Sequence, residues 1–210
     1  MQKVEKLFPG FFYHIYNRGN NRENIFFEEK NYHYFLDLWV KYIVPIAETY
    51  AYCLMRNHFH FLVRIKEAFK TFEVSETSKV SLYISKQFSN MFNAYAKAIN
   101  KKYDRTGSLF QTRFGRKRVN KEAYLYNLIH YIHFNPQKHG FVEDFRDYPY
   151  SSYHAFLTNK KTNVAREAVI DLFGDVKEFI NFHARENDYK NIQTLIEEDD
   201  FPDLRGLRDL

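Results

Sequence analysis

The stretch Ile46–Ile65, IAETYAYCLMRNHFHFLVRI, reads as two strands, Ile46–Met55 and His58–Ile65, joined by a tight turn at Arg56-Asn57. Side chains two apart in a strand point the same way. His58 and His60 therefore share one face, while Phe59 and Phe61 turn into a core. Working outward, Phe11–Asn17 (FFYHIYN) reads as a strand of aromatic and β-branched residues. Asn31 to about Val44 reads as a helix with Tyr34, Leu38 and Trp39 at helical spacing, stopped before Pro45. Lys79–Asn100 reads as a long helix with apolar Leu82, Ile84, Phe88, Met91, Phe92 and Tyr95, Gly115–Val119 as a strand, and Lys121 to about Asn135 as a helix ended by Pro136. Arg18–Asn24 reads as a polar loop, Glu67–Ser78 as a linker and Tyr148–Tyr153 as a turn, followed by short helices near Val164–Phe173 and Val176–Asn187. The order β-α-β-β-α-β-α implies an α+β fold. It would be a ferredoxin-like sandwich, an antiparallel sheet with helices on one face, carrying a helical C-terminal extension. Ligand chemistry could then use the other face or an edge.

Composition narrows the classes. A chain of 210 residues suits one domain with an appended tail, and 45% hydrophobic residues argue against wholesale disorder. The single cysteine, Cys53, excludes an internal disulfide and a multi-cysteine zinc site, and fits a reducing cytoplasm. The N-terminus does not read as a signal peptide, and no stretch approaches a membrane span, so a soluble cytoplasmic protein is expected. Net charge is +5, but Glu186–Leu210 carries eight acids against three bases, which leaves the main body far more basic. Lys101–Lys121 alone has eight bases and one acid. Such a surface suits a polyanion. The acidic end from Glu197 reads as frayed or docked on that surface.

Three features could carry chemistry. The first is the pair His58 and His60, half a metal site or simply two surface imidazoles. The second lies in the helix YLYNLIHYIHFNP, where Tyr131 and Asn135 are four apart and share a face. Asn135 would complete an N, N, O donor set with the two histidines, suited to Mg²⁺ or Mn²⁺ with open positions. Equally, Tyr131 could be a core aromatic and Asn135 a C-cap. His130 and His133, on other faces, read as packed or surface residues. The third is Arg105–Arg118, RTGSLFQTRFGRKR, where Arg105, Arg113, Arg116, Lys117 and Arg118 could neutralise phosphates and Phe110 and Phe114 could stack on bases or merely anchor a loop. Arg18, Asn20 and Arg22 in the early loop, and Lys138 with His139 after the proline, could also touch nucleic acid.

Taken in order, these motifs resemble the HUH single-tyrosine transposases, in the REP-associated tyrosine transposase branch. The resemblance is carried by Asn57-His58-Phe59-His60, by Tyr131-Ile132-His133-Phe134-Asn135-Pro136-Gln137-Lys138-His139-Gly140, by Tyr16–Arg22, by Gly107–Phe114 and by Tyr150-Ser151-Ser152-Tyr153. It covers roughly Phe11–Phe156, so a transposase domain over 1–157 and a helical extension with an acidic tail over 158–210 are expected. The resemblance implies that His58, His60 and Asn135 bind a divalent metal, that Tyr131 is the nucleophile, and that the substrate is single-stranded DNA beside a hairpin. Strand cleavage and rejoining would pass through a 5′-phosphotyrosine, in a monomer or homodimer. The family often has Val where this chain has Gln137 and a small residue where it has His139. The alternative is a non-catalytic binder of structured DNA or RNA derived from such a transposase. A hydrolase without a covalent step would need a carboxylate base near the histidines, and the nearest in sequence are Glu48 and Glu67.

Overall fold

The computed structural model of the chain describes residues 5–67, 77–111, 113–185 and 196. Most of the linker and the acidic end fall outside the described residues. Four strands, β1 (Phe12–Arg18), β2 (Ala47–Met55), β3 (His58–Ile65) and β4 (Gly115–Val119), form one antiparallel sheet in the order β2-β3-β1-β4. Helices α1 (Glu29–Tyr42) and α2 (Thr77–Lys102) complete the sandwich, followed by α3 (Glu122–Lys138), α4 (Tyr153–Phe156), α5 (Arg166–Phe173) and α6 (Val176–His183). This is the element order read from the sequence, in an α+β fold. Among the described residues no helix is long and apolar enough to cross a membrane.

The pleat sorts the side chains. Tyr13, Ile15, Phe59, Phe61, Val63 and Ile65 point from the central strands into one core, where α1 contributes Phe35 and Trp39 and α2 contributes Ile84, Phe88, Met91 and Tyr95. The Trp39 ring stacks on Phe61 at 3.6 Å, and its indole N–H donates to Thr49 Oγ1 at 3.0 Å, so the polar edge of a buried ring is satisfied. Leu82, counted with this apolar set from the sequence, is 71% exposed, and Ile99 takes a place in the core instead. The other face of the sheet is not bare. Helix α3 lies across β2, β3 and β4 there, and Leu128, Ile129 and Ile132 pack with Ala51, Cys53 and Leu62. Val169 of α5 and Phe179 of α6 join that second core.

Several boundaries differ from the sequence reading, among them the long helix, which spans Thr77–Lys102 rather than Lys79–Asn100, and α6, which ends at His183 rather than Asn187; three differences have a plain local reason. Helix α1 starts at Glu29 rather than Asn31, because Asn31 is the third residue of a capping box: its Oδ1 accepts from the backbone N–H groups of Glu28 at 3.2 Å and Phe27 at 2.8 Å. Helix α3 is not ended by Pro136 but runs on to Lys138. A proline in a final turn removes a single helical donor, and the chain still closes the turn, with the His139 N–H donating to the Asn135 carbonyl at 2.9 Å. The segment before Tyr153 is not a free turn. It lies along the β2 edge, with Leu54 N–H to the Tyr150 carbonyl at 2.9 Å and Ser152 N–H to the Tyr52 carbonyl at 2.9 Å, which shields an open strand edge.

Phe59, fully buried among Phe35, Phe92 and Phe110, shares its strand with the two histidines. Phe59→Ala is expected to cost about 3–5 kcal/mol, read as a lowered midpoint in urea denaturation followed by circular dichroism. A loss below about 1 kcal/mol would mean that this core collapses freely around the gap.

Candidate active site

Register places the site. Arg18 pairs with His58, Tyr16 with His60 and His14 with Leu62 across β1 and β3, so His14, Tyr16, His58 and His60 all face α3. His14 Nε2 lies 3.0 Å from His60 Nδ1, with the two rings stacked at 5.1 Å. Tyr16 covers the pair, 4.9 Å from His14 and 6.1 Å from His60 between ring centroids. A Cβ at Gly115 would fall 2.1 Å from two carbons of the Tyr16 ring, so only glycine lets that ring lie against β4. His58 Nδ1 donates to Asn57 Oδ1 at 2.6 Å, which leaves Nε2 as the acceptor nitrogen of the neutral ring. The rings of His58 and His60 are 5.3 Å apart, and that of His139 sits 4.9 Å from His58.

From the opposite side, α3 brings its tyrosine. The Tyr131 ring stands edge-on to His60 with centroids 6.0 Å apart, in the same chain. Tyr131 is fully buried as a member of the second apolar core, with one cation beside it: Lys138 Nζ lies 3.5 Å from the phenol oxygen and 4.7 Å from the ring centroid. That contact depends on α3 continuing past Pro136, because two helical turns separate Tyr131 from Lys138 on one face. Asn135, also buried, donates from Nδ2 to the Tyr131 carbonyl at 2.8 Å, and among the described residues its Oδ1 accepts no hydrogen bond.

Burial decides the charge state. The His60 imidazole is held well below the usual histidine range, first by desolvation and then by His14, His139, Lys138 and Arg18 nearby. It is neutral at pH 7, the form that ligates metals. Among the described residues no three His, Cys, Asp or Glu side chains converge as a metal set. His58 and His60 line one pocket, whose lining includes neither Asn135 nor Tyr131, and a hydrogen bond at Nδ1 of each ring, with Asn57 and His14, orients the pair.

The residues read as nucleic-acid contacts scatter more widely. Arg18 and Arg113 line a pocket with His58, His60 and Gln111, and no acidic residue lines it. Asn20 and Arg22 sit in an exposed 3-10 turn. Arg105 pairs with Glu23. In β4, Lys117 faces the histidine side, 5.8 Å from the Tyr16 ring centroid. Arg116 faces the other way, donating to Ser85 Oγ at 2.8 Å, and Arg118 lies over Phe11 at 3.5 Å. Phe110 and Phe114, 7% and 8% exposed, are anchors of the core rather than open stacking surfaces. Glu48 and Glu67 both pair with Arg64, toward the far end of β3 from the histidines. Cys53 is fully buried, and burial raises its thiol well above the usual range.

His130, His133 and His183 form a second buried group behind α3. His133 Nδ1 lies 2.9 Å from His183 Nε2, and His133 Nε2 lies 2.8 Å from Ser152 Oγ. His183 Nδ1 donates to the Phe179 carbonyl at 2.8 Å. Sequence reading missed His14, whose only signal is its alternation with Tyr16 in β1, and missed the link from α6 to α3 entirely.

No family model matches the chain. A curated Haemophilus influenzae protein named as a REP-associated tyrosine transposase is 33% identical over 110 residues, or 51% of this chain. The match spans 59% of that relative's length. A solved REP-associated tyrosine transposase bound to a REP hairpin superposes with a TM-score of 0.52 at 19% identity, covering 76% of this chain and 86% of its own. The chain is thus similar in sequence to the first of these proteins over about half of its length and similar in fold to the second.

Two expectations follow from the site. Burial holds His60 and His133 well below 6.5, His130 down to about 4 and His183 down to about 3. The folded chain therefore binds fewer protons than the unfolded chain once pH drops below 6.5, and stability falls with acid. Each such histidine contributes up to about 1.4 kcal/mol per pH unit there. The melting temperature should drop steadily from pH 7 to pH 5, and a flat profile would contradict the buried neutral state. Separately, Gly115→Ala should lower the melting temperature by a few degrees, about 1–3 kcal/mol of overpacking, by pushing Tyr16 off the histidine pair. An unchanged melt would show that the ring moves aside freely.

Proposed function

We propose that this chain cleaves and rejoins single-stranded DNA beside a hairpin, through a covalent 5′-phosphotyrosine at Tyr131, with Mg²⁺ or Mn²⁺ as cofactor. The reading rests foremost on the juxtaposition of the Tyr131 phenol with His60 of the same chain, ring centroids 6.0 Å apart. The related transposases, and the REP hairpin to which the solved neighbour is bound, support the substrate class.

His58, His60 and Asn135 would hold the metal, which when bound supplies Lewis-acid polarisation of the scissile phosphate. Every other role falls to the chain itself. The Tyr131 oxygen forms a bond to phosphorus as the bond from phosphorus to the 3′ oxygen breaks. The departing strand leaves as a 3′-hydroxyl, and the phenol proton passes to solvent or to that leaving oxygen. A 3′-hydroxyl of another strand reverses the step, so no energy-rich cofactor enters. Lys138, with its ammonium beside the phenol oxygen, stabilises the negative charge that develops there. His14 and Asn57 fix the rings of His60 and His58. Arg18 and Arg113, at the mouth of the pocket, face the phosphate backbone.

The full burial of Tyr131 favours one other reading. A phosphate reaches that phenol only after a local opening, and a chain that never opens there would bind hairpin DNA or RNA without cutting it.

The separating experiment is incubation with hairpin-bearing single-stranded DNA and Mn²⁺, resolved on a denaturing gel. A covalent adduct should form and should vanish in Tyr131→Phe. Lys138→Met should slow its formation by about 10²-fold, with partial rescue by Lys138→Arg. In calorimetry, His60→Ala should abolish metal binding. Tight DNA binding by the wild type with no adduct on any such substrate would leave the non-cutting reading in possession.

A further inference from the structure

The buried histidines behind α3 belong to a chain of hydrogen bonds that runs in one direction. His130, His133, His183 and Ser152 are all buried. The last acceptor sets every proton. His183 Nδ1 donates to the Phe179 carbonyl, which can only accept, so the neutral ring offers Nε2 as an acceptor. His133 Nδ1 therefore donates to His183 Nε2 at 2.9 Å, and its own Nε2 accepts from the Ser152 hydroxyl at 2.8 Å. Ser152 Oγ in turn accepts from the Tyr52 N–H of β2 at 2.8 Å. Burial keeps both rings neutral at pH 7. A second link from α3 ends on the same residue, because His130 Nε2 donates to the His183 carbonyl at 3.3 Å.

Two features give this chain a bearing on the tyrosine. The first is direction. Against the sheet, α3 packs through Leu128, Ile129 and Ile132, apolar contacts whose attraction has no preferred angle. Hydrogen bonds weaken steeply when misaligned, so the bonds of His133 and His130 select one rotation of the helix. The second is position. His133 stands two residues after Tyr131, about 200° round the helix, so any turn of α3 that strains the His133 bonds also swings the phenol.

We infer that His183, on the C-terminal extension, is a positioning residue for Tyr131: through His133 and His130 it holds α3 in the rotation that sets the phenol beside His60. The inference rests on the strand-cleavage reading for the role of Tyr131. It adds that the catalytic unit reaches past residue 157 to α6, although among the described residues no part of α6 lines the histidine pocket. An error of about 1 Å in placing a nucleophile costs about 10²-fold in rate, which is the scale on which such a hold matters.

The test uses the full chain and two matched substitutions. His183→Gln keeps an acceptor where Nε2 stands, whereas His183→Asn is as polar but too short to reach His133. Covalent adduct formation is timed at saturating hairpin-bearing single-stranded DNA with Mn²⁺, and DNA affinity is read separately by fluorescence anisotropy. Hydrogen exchange followed by mass spectrometry compares a peptide covering 128–134 in α3 with one covering 59–65 in β3. In His183→Asn the adduct rate should fall about tenfold while affinity stays within about twofold. Exchange should quicken in the α3 peptide and not in the β3 peptide, and His183→Gln should restore both readings. Ser152→Ala opens the chain at its other end, keeps the Ser152 N–H bond to the Tyr52 carbonyl, and carries the same expectation if His183→Asn does not fold. An unchanged rate and unchanged exchange in a folded variant would overturn the inference. So would equal losses in the Asn and Gln variants, or exchange that quickens alike in both peptides, since these mark general loosening. If the wild type forms no adduct, the strand-cleavage reading falls by itself; exchange that quickens in α3 alone still supports the hold of His183 on the helix, and unchanged exchange still overturns it.

Discussion

The antiparallel register between β1 and β3 is the constraint on which the rest depends. It sets Tyr16 opposite His60 and Arg18 opposite His58, and brings His14 diagonally within 3.0 Å of His60. A slip of one residue would turn every one of these side chains to the other face. The aromatic core beneath opposes such a slip, because Phe59 and Phe61 would then surrender their places among Phe35, Trp39 and Phe92. The apolar face of β3 thus holds its polar face in position, and one strand serves both the stability of the sandwich and the geometry of the site.

Much of this was legible in the sequence. Period-two alternation in NHFHFLVRI gives the two faces of β3, and the spacing of the long helix gives the inner side of α2. What the sequence could not supply was depth. The histidine pair reads as a surface feature from alternation alone, since nothing local shows that α3 closes over it. Its burial, and the neutral state that His60 takes from it, are products of tertiary packing. Pro136 misled in the opposite sense. Proline is a strong local stop, but near a helix end it removes little, and the additional residues bring Lys138 to the phenol. In the basic segment composition was visible and direction was not. Strand geometry sends Arg116 and Arg118 to one face and Lys117 to the other, which divides a run of like charge between two surfaces.

The site itself is polar but enclosed. Tyr131 and His60 are both buried, and the surrounding cations, Arg18 and Lys138, lie on the rim and on the tyrosine helix. Such an arrangement keeps the His60 imidazole uncharged and sets positive charge beside the Tyr131 phenol. It also leaves Asn135 as an acceptor in a dry setting, a cost that a bound cation would offset.

The hydrogen-bonded trio behind α3 has a mechanical consequence. His133 is gripped on one side by His183 and on the other by Ser152, whose own oxygen receives the Tyr52 N–H at 2.8 Å. Helix α3 is thereby bolted to an outer helix and to an edge strand at one point, two residues after Tyr131. Sliding along its axis would break bonds in a dry interior. Helix α6, which lines no part of the histidine pocket among the described residues, thereby acts as a footing for the helix that carries Tyr131, through a residue fifty positions downstream of His133.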